Sequence, residues 1–139
     1  MMKKAVVDQF LLWIVLFIAF VTIFFLVIDY YIILKTKDRC DMLANYGARM
    51  KALGKDDAFI IAGLNNLKTE QFQTITEDNF ECEDLETTQY QVVFNTEISL
   101  QSKFFGVQNI VSTTSTFNEI SSTDKNCTVN LILTNEGQL

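Results

Sequence analysis

Phe10 through Ile28 is an unbroken apolar run whose only hydroxyl is Thr22. As a helix rising ~1.5 Å per residue, a run of this length matches the ~30 Å hydrocarbon core of a bilayer. Its flanks fit the same reading. Lys3, Lys4 and Asp8 precede it, and Asp29-Tyr30-Tyr31, then Lys35, Lys37 and Arg39, follow. Tyrosines belong at a membrane–water boundary, where one end of the ring is dry and the other wet. A cleaved signal peptide has a shorter apolar core and ends at a small-residue site. Here the run passes directly into Asp-Tyr-Tyr, which predicts an uncleaved single-pass anchor.

About one hundred residues follow the anchor, enough for one small domain with a modest core. Charge divides unevenly along the chain. Residues 1–55 carry Lys3, Lys4, Lys35, Lys37, Arg39, Arg49, Lys51 and Lys55 against four acids, whereas residues 56–139 hold Lys68, Lys103 and Lys125 against thirteen. A basic stem beside lipid suits anionic headgroups. The acidic remainder argues against a nucleic-acid partner, which requires a cationic face.

The chain contains no histidine and no proline. Absence of histidine removes the usual general base and the commonest metal ligand, along with every Ser-His or Cys-His arrangement. Carboxylates would have to carry any catalysis, and their one cluster, Glu81, Glu83, Asp84 and Glu86, lacks the Asp/Asn/Gly spacing of a calcium loop. It reads as a solvated acidic turn, and the expectation is a protein that is not an enzyme and carries no cofactor or metal. Of the three cysteines, Cys40 lies in the stem, while Cys82 and Cys127 lie in the acidic domain and are able to pair. A bridge would imply an oxidising compartment. The alternative is three unrelated thiols. Asn126-Cys127-Thr128 matches a glycosylation triplet, a pattern that arises often by chance.

Lysine and arginine counting alone would place the C-terminal side in the cytoplasm. The candidate disulfide and the Lys-poor, Ser/Thr/Asn-rich outer domain favour the opposite, so the N-terminus is expected inside and the domain extracytoplasmic.

From Asp29 to Leu53 helix formers are frequent and Gly47 is the only glycine, with Gly54 as a natural stop after Arg49 and Lys51. One helix of about fifty residues is predicted. Within its upper half Ala44, Ala48 and Ala52 recur every four residues, with Gly47 beside them. Such a small-residue stripe lets a sheet of the same chain, or a helix of another subunit, approach closely. A short second helix is expected over Ala58–Ala62, capped by Asp56 or Asp57 and ended by Asn65-Asn66. Period-two patterning predicts strands at Gln89–Phe94, Glu97–Leu100, Phe105–Val111 and Thr128–Thr134, with Phe72–Ile75 as a further edge strand. Ser112–Thr116 reads as strand edge. Phe104 and Phe105 read as core residues, or alternatively as partner contacts. The expected fold class is α+β. A stub (1–9), a transmembrane helix (10–34) and a membrane-proximal continuation (35–54) precede a small antiparallel β-rich domain (55–139).

This layout resembles the type IV pilin and pseudopilin class, and within it the TadE-like minor pseudopilins of tight-adherence pili. Two stretches carry the likeness: Val6-Val7-Asp8-Gln9-Phe10-Leu11-Leu12, and Arg39 through Ala52 with Ala44, Tyr46, Ala48 and Arg49. The resemblance covers the first fifty residues. It implies a membrane-embedded oligomer whose partners are other pilin-like subunits or the pilus or secretion machinery. It further implies that Asp8 sets subunit register by meeting the free amine of a neighbour. A carboxylate at the lipid edge gains from such a cation. Prepilin processing normally needs Gly before the cut, whereas the matching point here is Lys3–Lys4. The alternative function is a membrane-anchored partner-binding or sensor domain of an envelope complex.

Overall fold

The computed structural model describes residues 2–68, 70, 72–86, 89–102, 104–118 and 123–132. Helix α1 runs without a break over Met2–Ala52, so residues 2–9 are its first turns rather than a separate stub. Gly54 adopts φ 72°, the left-handed conformation that suits a residue without Cβ. The Gly54 amide bonds Lys51 O at 2.9 Å and the Lys55 amide bonds Met50 O at 3.1 Å. This pair of bonds satisfies the last carbonyls of the helix and stops it. Helix α2, Asp57–Leu67, follows at once. Asp56 occupies its N-cap position but makes no capping bond, and Asp57 instead pairs with Lys51 at 2.6 Å.

A single 3-10 turn, Glu77–Asn79, leads into four strands: β1 (Phe80–Leu85), β2 (Gln91–Ser102), β3 (Gly106–Phe117) and β4 (Asp124–Ile132). They form one sheet in the order β1-β4-β2-β3. The β1–β4 and β2–β3 pairs are antiparallel, but β2 and β4 run parallel. The sheet is therefore mixed, not antiparallel as expected. Period-two patterning reports which face a side chain takes and says nothing about the direction of a neighbouring strand.

Register aligns the apolar residues in rows. Ile110, Ile98 and Leu131 lie side by side, then Ser112, Thr96, Val129 and Phe80, then Thr114, Phe94, Cys127 and Cys82. This face meets the upper half of α1, whose buried residues Asp29, Thr36, Cys40, Leu43, Ala44, Gly47, Ala48 and Ala52 form a 3.6-period stripe. With Ile60 and Leu64 of α2 they close one hydrophobic cluster. The upper half of α1 is thus part of the domain's core. On the opposite face Asn95 meets Asn126 at 2.9 Å and Thr113 at 2.8 Å, leaving a polar surface to water.

Other expectations shift locally. Residues 91–102 form one strand instead of two. Phe72 makes only an isolated bridge, and Phe72 and Ile75 are buried anchors of a linker held by Asn65, which bonds the Ile75 amide and carbonyl at 2.8 and 2.9 Å. Most of the acidic segment expected as a turn lies in strand β1, where Glu81 and Glu83 are exposed, Asp84 pairs with Lys125 of β4 at 3.3 Å and Phe80 is buried. Leu133 and Thr134, the expected end of the last strand, lie outside the described residues.

Candidate functional site: the lipid boundary of the long helix

α1 is long and apolar enough to cross a membrane, and none of its most apolar eighteen-residue stretch is buried. Phe10, Trp13, Phe17, Phe20, Phe24 and their neighbours project outward on every side. A helix apolar all round is stable only inside a protein or in lipid. Asp8 stands just before this run, exposed, with no ion-pair partner among the described residues.

The first buried residue along α1 is Asp29, immediately after the apolar run ends at Ile28. Its carboxylate accepts a hydrogen bond from the Ser102 hydroxyl and one from the Phe104 amide at 3.3 Å. Ser102 Oγ in turn accepts from the Phe105 amide at 2.9 Å. The tip of the β2–β3 hairpin is thereby fixed to the helix at the edge of the apolar zone. Length matching explains how it gets there. At the other end of the contact Gly47 meets Phe94. Eighteen helical residues at ~1.5 Å and eight strand residues at ~3.3 Å each cover about 26–27 Å, so β2 runs down alongside α1 in step with it. Phe104 and Phe105, expected as core, are exposed at the tip instead.

The stripe of Ala44, Gly47, Ala48 and Ala52 is buried within the chain itself, and Phe94 of β2 lies against Gly47. A Cβ on Gly47 would stand within 2.5 Å of both Cε atoms of Phe94, so only glycine admits that ring. Lys37 donates to Val111 O at 2.6 Å and pairs with Asp41 at 3.2 Å, and Asp41 accepts from the Ser112 hydroxyl. Cys40 is a free, fully buried thiol that donates to Thr96 O at 3.0 Å. Burial pushes its pKa from 9.0 up to about 11, with nearby Lys37 acting in the opposite sense. It is a packing residue, protonated at neutral pH.

Beside the helix, just above the boundary, lies an open cleft of about 510 Å³ lined by Ile32, Lys35, Thr36, Arg39, Lys68, Glu70 and Phe72. Three of these are cations and one is an acid. Lys35 stands seven residues, about 10 Å, above Ile28. Cys82 and Cys127 sit directly opposite each other on β1 and β4 and form a disulfide. The bridge lies far from the boundary and closes a 45-residue separation. Among the described residues no group of three or more His, Cys, Asp or Glu converges to hold a metal ion.

Ser102 carries no signal of its own in the sequence, and Asp29 is marked there only as a flank of the apolar run. The available signal was an acid placed against the end of an apolar run, where an unpaired carboxylate is costly. Protein-family models, curated proteins and solved structures yield no match to this chain.

Proposed function

We propose that this chain is a non-catalytic, single-pass membrane subunit of a pilus or secretion filament, pseudopilin-like in layout, that associates with other subunits through the lower half of α1. The observation that carries this reading is the division of one continuous helix. Its upper half is consumed by the chain's own sheet, while its lower half offers apolar side chains in every direction. The small-residue stripe is already occupied within the protomer, so contact between copies falls to residues 2–28, with Asp8 at their start as the register residue. The disulfide supports the reading of an extracytoplasmic domain with a cytoplasmic N-terminus.

Single cysteines introduced in turn along Val15–Ile23 test this reading in native membranes. The native thiols stay silent, one buried and two bonded to each other. Oxidation should yield dimers at positions recurring every three to four residues, and Asp8→Ala should weaken them without exposing Cys40. Absence of dimers at every position would refute helix-mediated assembly. It would leave an anchored partner-binding domain, whose open polar sheet face then becomes the surface to examine.

A further inference from the structure

We propose that the β2–β3 hairpin tip is a second membrane contact, with Phe104, Phe105 and Val107 seated at the headgroup–acyl boundary beside the anchor. This rests on the membrane-anchor part of the function proposed above and extends it to the domain. Three observations meet here. Phe104, Phe105 and Val107 are exposed by 50, 45 and 70 %, an apolar cluster at the end of a hairpin. The Phe104 amide and the Ser102 hydroxyl are bonded to Asp29, one residue past the end of the apolar run. Tyr30 and Tyr31 are exposed at the same level.

A helix that spans the bilayer up to Ile28 therefore carries the hairpin tip to the depth where aromatic rings partition best. The occupant is lipid because the patch is continuous with the span itself. Above it, Lys35, about 10 Å past Ile28, then Arg39 and Lys68 line the cleft against the one acid Glu70, a net positive surface that matches anionic lipid in charge. Asp29 thus acts in two ways, holding the hairpin down and keeping a carboxylate satisfied where lipid begins. Two points of attachment would fix the tilt and rotation of the domain against the membrane, which a single spanning helix would leave free.

Tryptophan fluorescence of the full chain tests this in vesicles of phosphatidylcholine and phosphatidylglycerol, with or without bromine on the acyl chains near the headgroup. The chain has a single tryptophan, Trp13, inside the apolar run, which serves as an internal control for the anchor. In a Trp13→Phe background, Phe104→Trp should emit at shorter wavelength than Phe117→Trp and lose most of its intensity to the brominated lipid. Phe117, at the far end of β3, should report water. Phe105→Trp repeats the measurement, and continued protection of Cys40 from alkylation certifies the fold of each variant.

Emission like that of Phe117→Trp, quenched by iodide but not by bromolipid, overturns the proposal while quenching of Trp13 leaves the anchor standing. A blue shift without bromolipid quenching also overturns it, because the tip would then be covered by protein. If Trp13 itself escapes the bromolipid, the anchor reading fails with it.

Discussion

Gly47→Ala isolates the contact that fuses the helix to the domain. The helix alone should gain from the change, because alanine is favoured over glycine by about 0.8–1.0 kcal/mol in a helix interior. The sheet should lose. The new methyl would lie within 2.5 Å of both Cε atoms of Phe94, and closer still to Cζ, where carbon contacts prefer ~3.5–4.0 Å. Phe94 has no room to retreat: it is fully buried, and the Phe80 ring stands 6.0 Å away, centroid to centroid. Overpacking of this kind costs about 1–3 kcal/mol, and with steric overlap on three ring atoms the upper part of that range applies. A net loss of about 1–2 kcal/mol follows, raising the open population by about 5–30-fold. Cys40 provides the assay, since it lies two turns below Gly47 on the same buried face. Its alkylation rate in detergent, measured where reclosing outpaces labelling, should rise by that factor. Adding Phe94→Leu should return part of the loss, with a coupling of at least about 1 kcal/mol between the two sites. A Gly47→Ala chain that labels no faster than the parent would mean that propensity outweighs the contact, and the seam between Gly47 and Phe94 would not be the tight one derived above.

Four further outcomes are expected. Without reductant the folded chain should take up no alkylating reagent, the unfolded chain should take up one equivalent at Cys40, and the reduced, unfolded chain should take up three. Because burial raises the Cys40 pKa from 9.0 to about 11, its contribution to stability is intact below pH 9 and is lost as pH rises toward 11, where only the unfolded state gains thiolate. Urea unfolding across that window, compared with Cys40→Ala, reads this difference. Replacing Cys82 and Cys127 together with serine should cost about 2–4 kcal/mol, as expected for a bridge closing a loop of this size. Thr96 is fully buried and its hydroxyl has no hydrogen-bond partner among the described residues. Thr96→Val should therefore stabilise the chain by about 1 kcal/mol, and a loss of similar size in thermal unfolding would show that the hydroxyl is satisfied.

The long helix was legible because its signals are local and strong: an apolar run of membrane length, helix formers without proline, and Gly54 at the stop. The Cys82–Cys127 bridge was legible as a possibility by default, since Cys40 lies in the stem. Other features required the third dimension. β1 hid because alternate acids mask its pattern, although outward charge is what an exposed sheet edge tolerates. The parallel β2–β4 pairing was invisible because alternation fixes a face and leaves direction open. Ala44, Gly47 and Ala48 announced a close approach without naming the neighbour, and Phe94, which fills it, lies 47 residues away in sequence from Gly47. Phe104 and Phe105 looked like core because phenylalanine is usually buried. Only the pinning of Ser102 to Asp29 brings them to the end of the apolar run.

One helix serves two solvents in this account, lipid through Ile28 and its own domain from Asp29 onward. Spin labels placed singly at successive positions from Phe10 to Ala52 of the full chain in liposomes, with accessibility read against oxygen and a water-soluble nickel chelate, test that division most directly. Oxygen should dominate at all positions through Ile28. Beyond Asp29 the pattern should change to a 3.6-residue period, with minima for both reagents at Thr36, Cys40, Leu43 and Ala44. Access of the nickel chelate along residues 10–28, or a uniform pattern above Asp29, would contradict it.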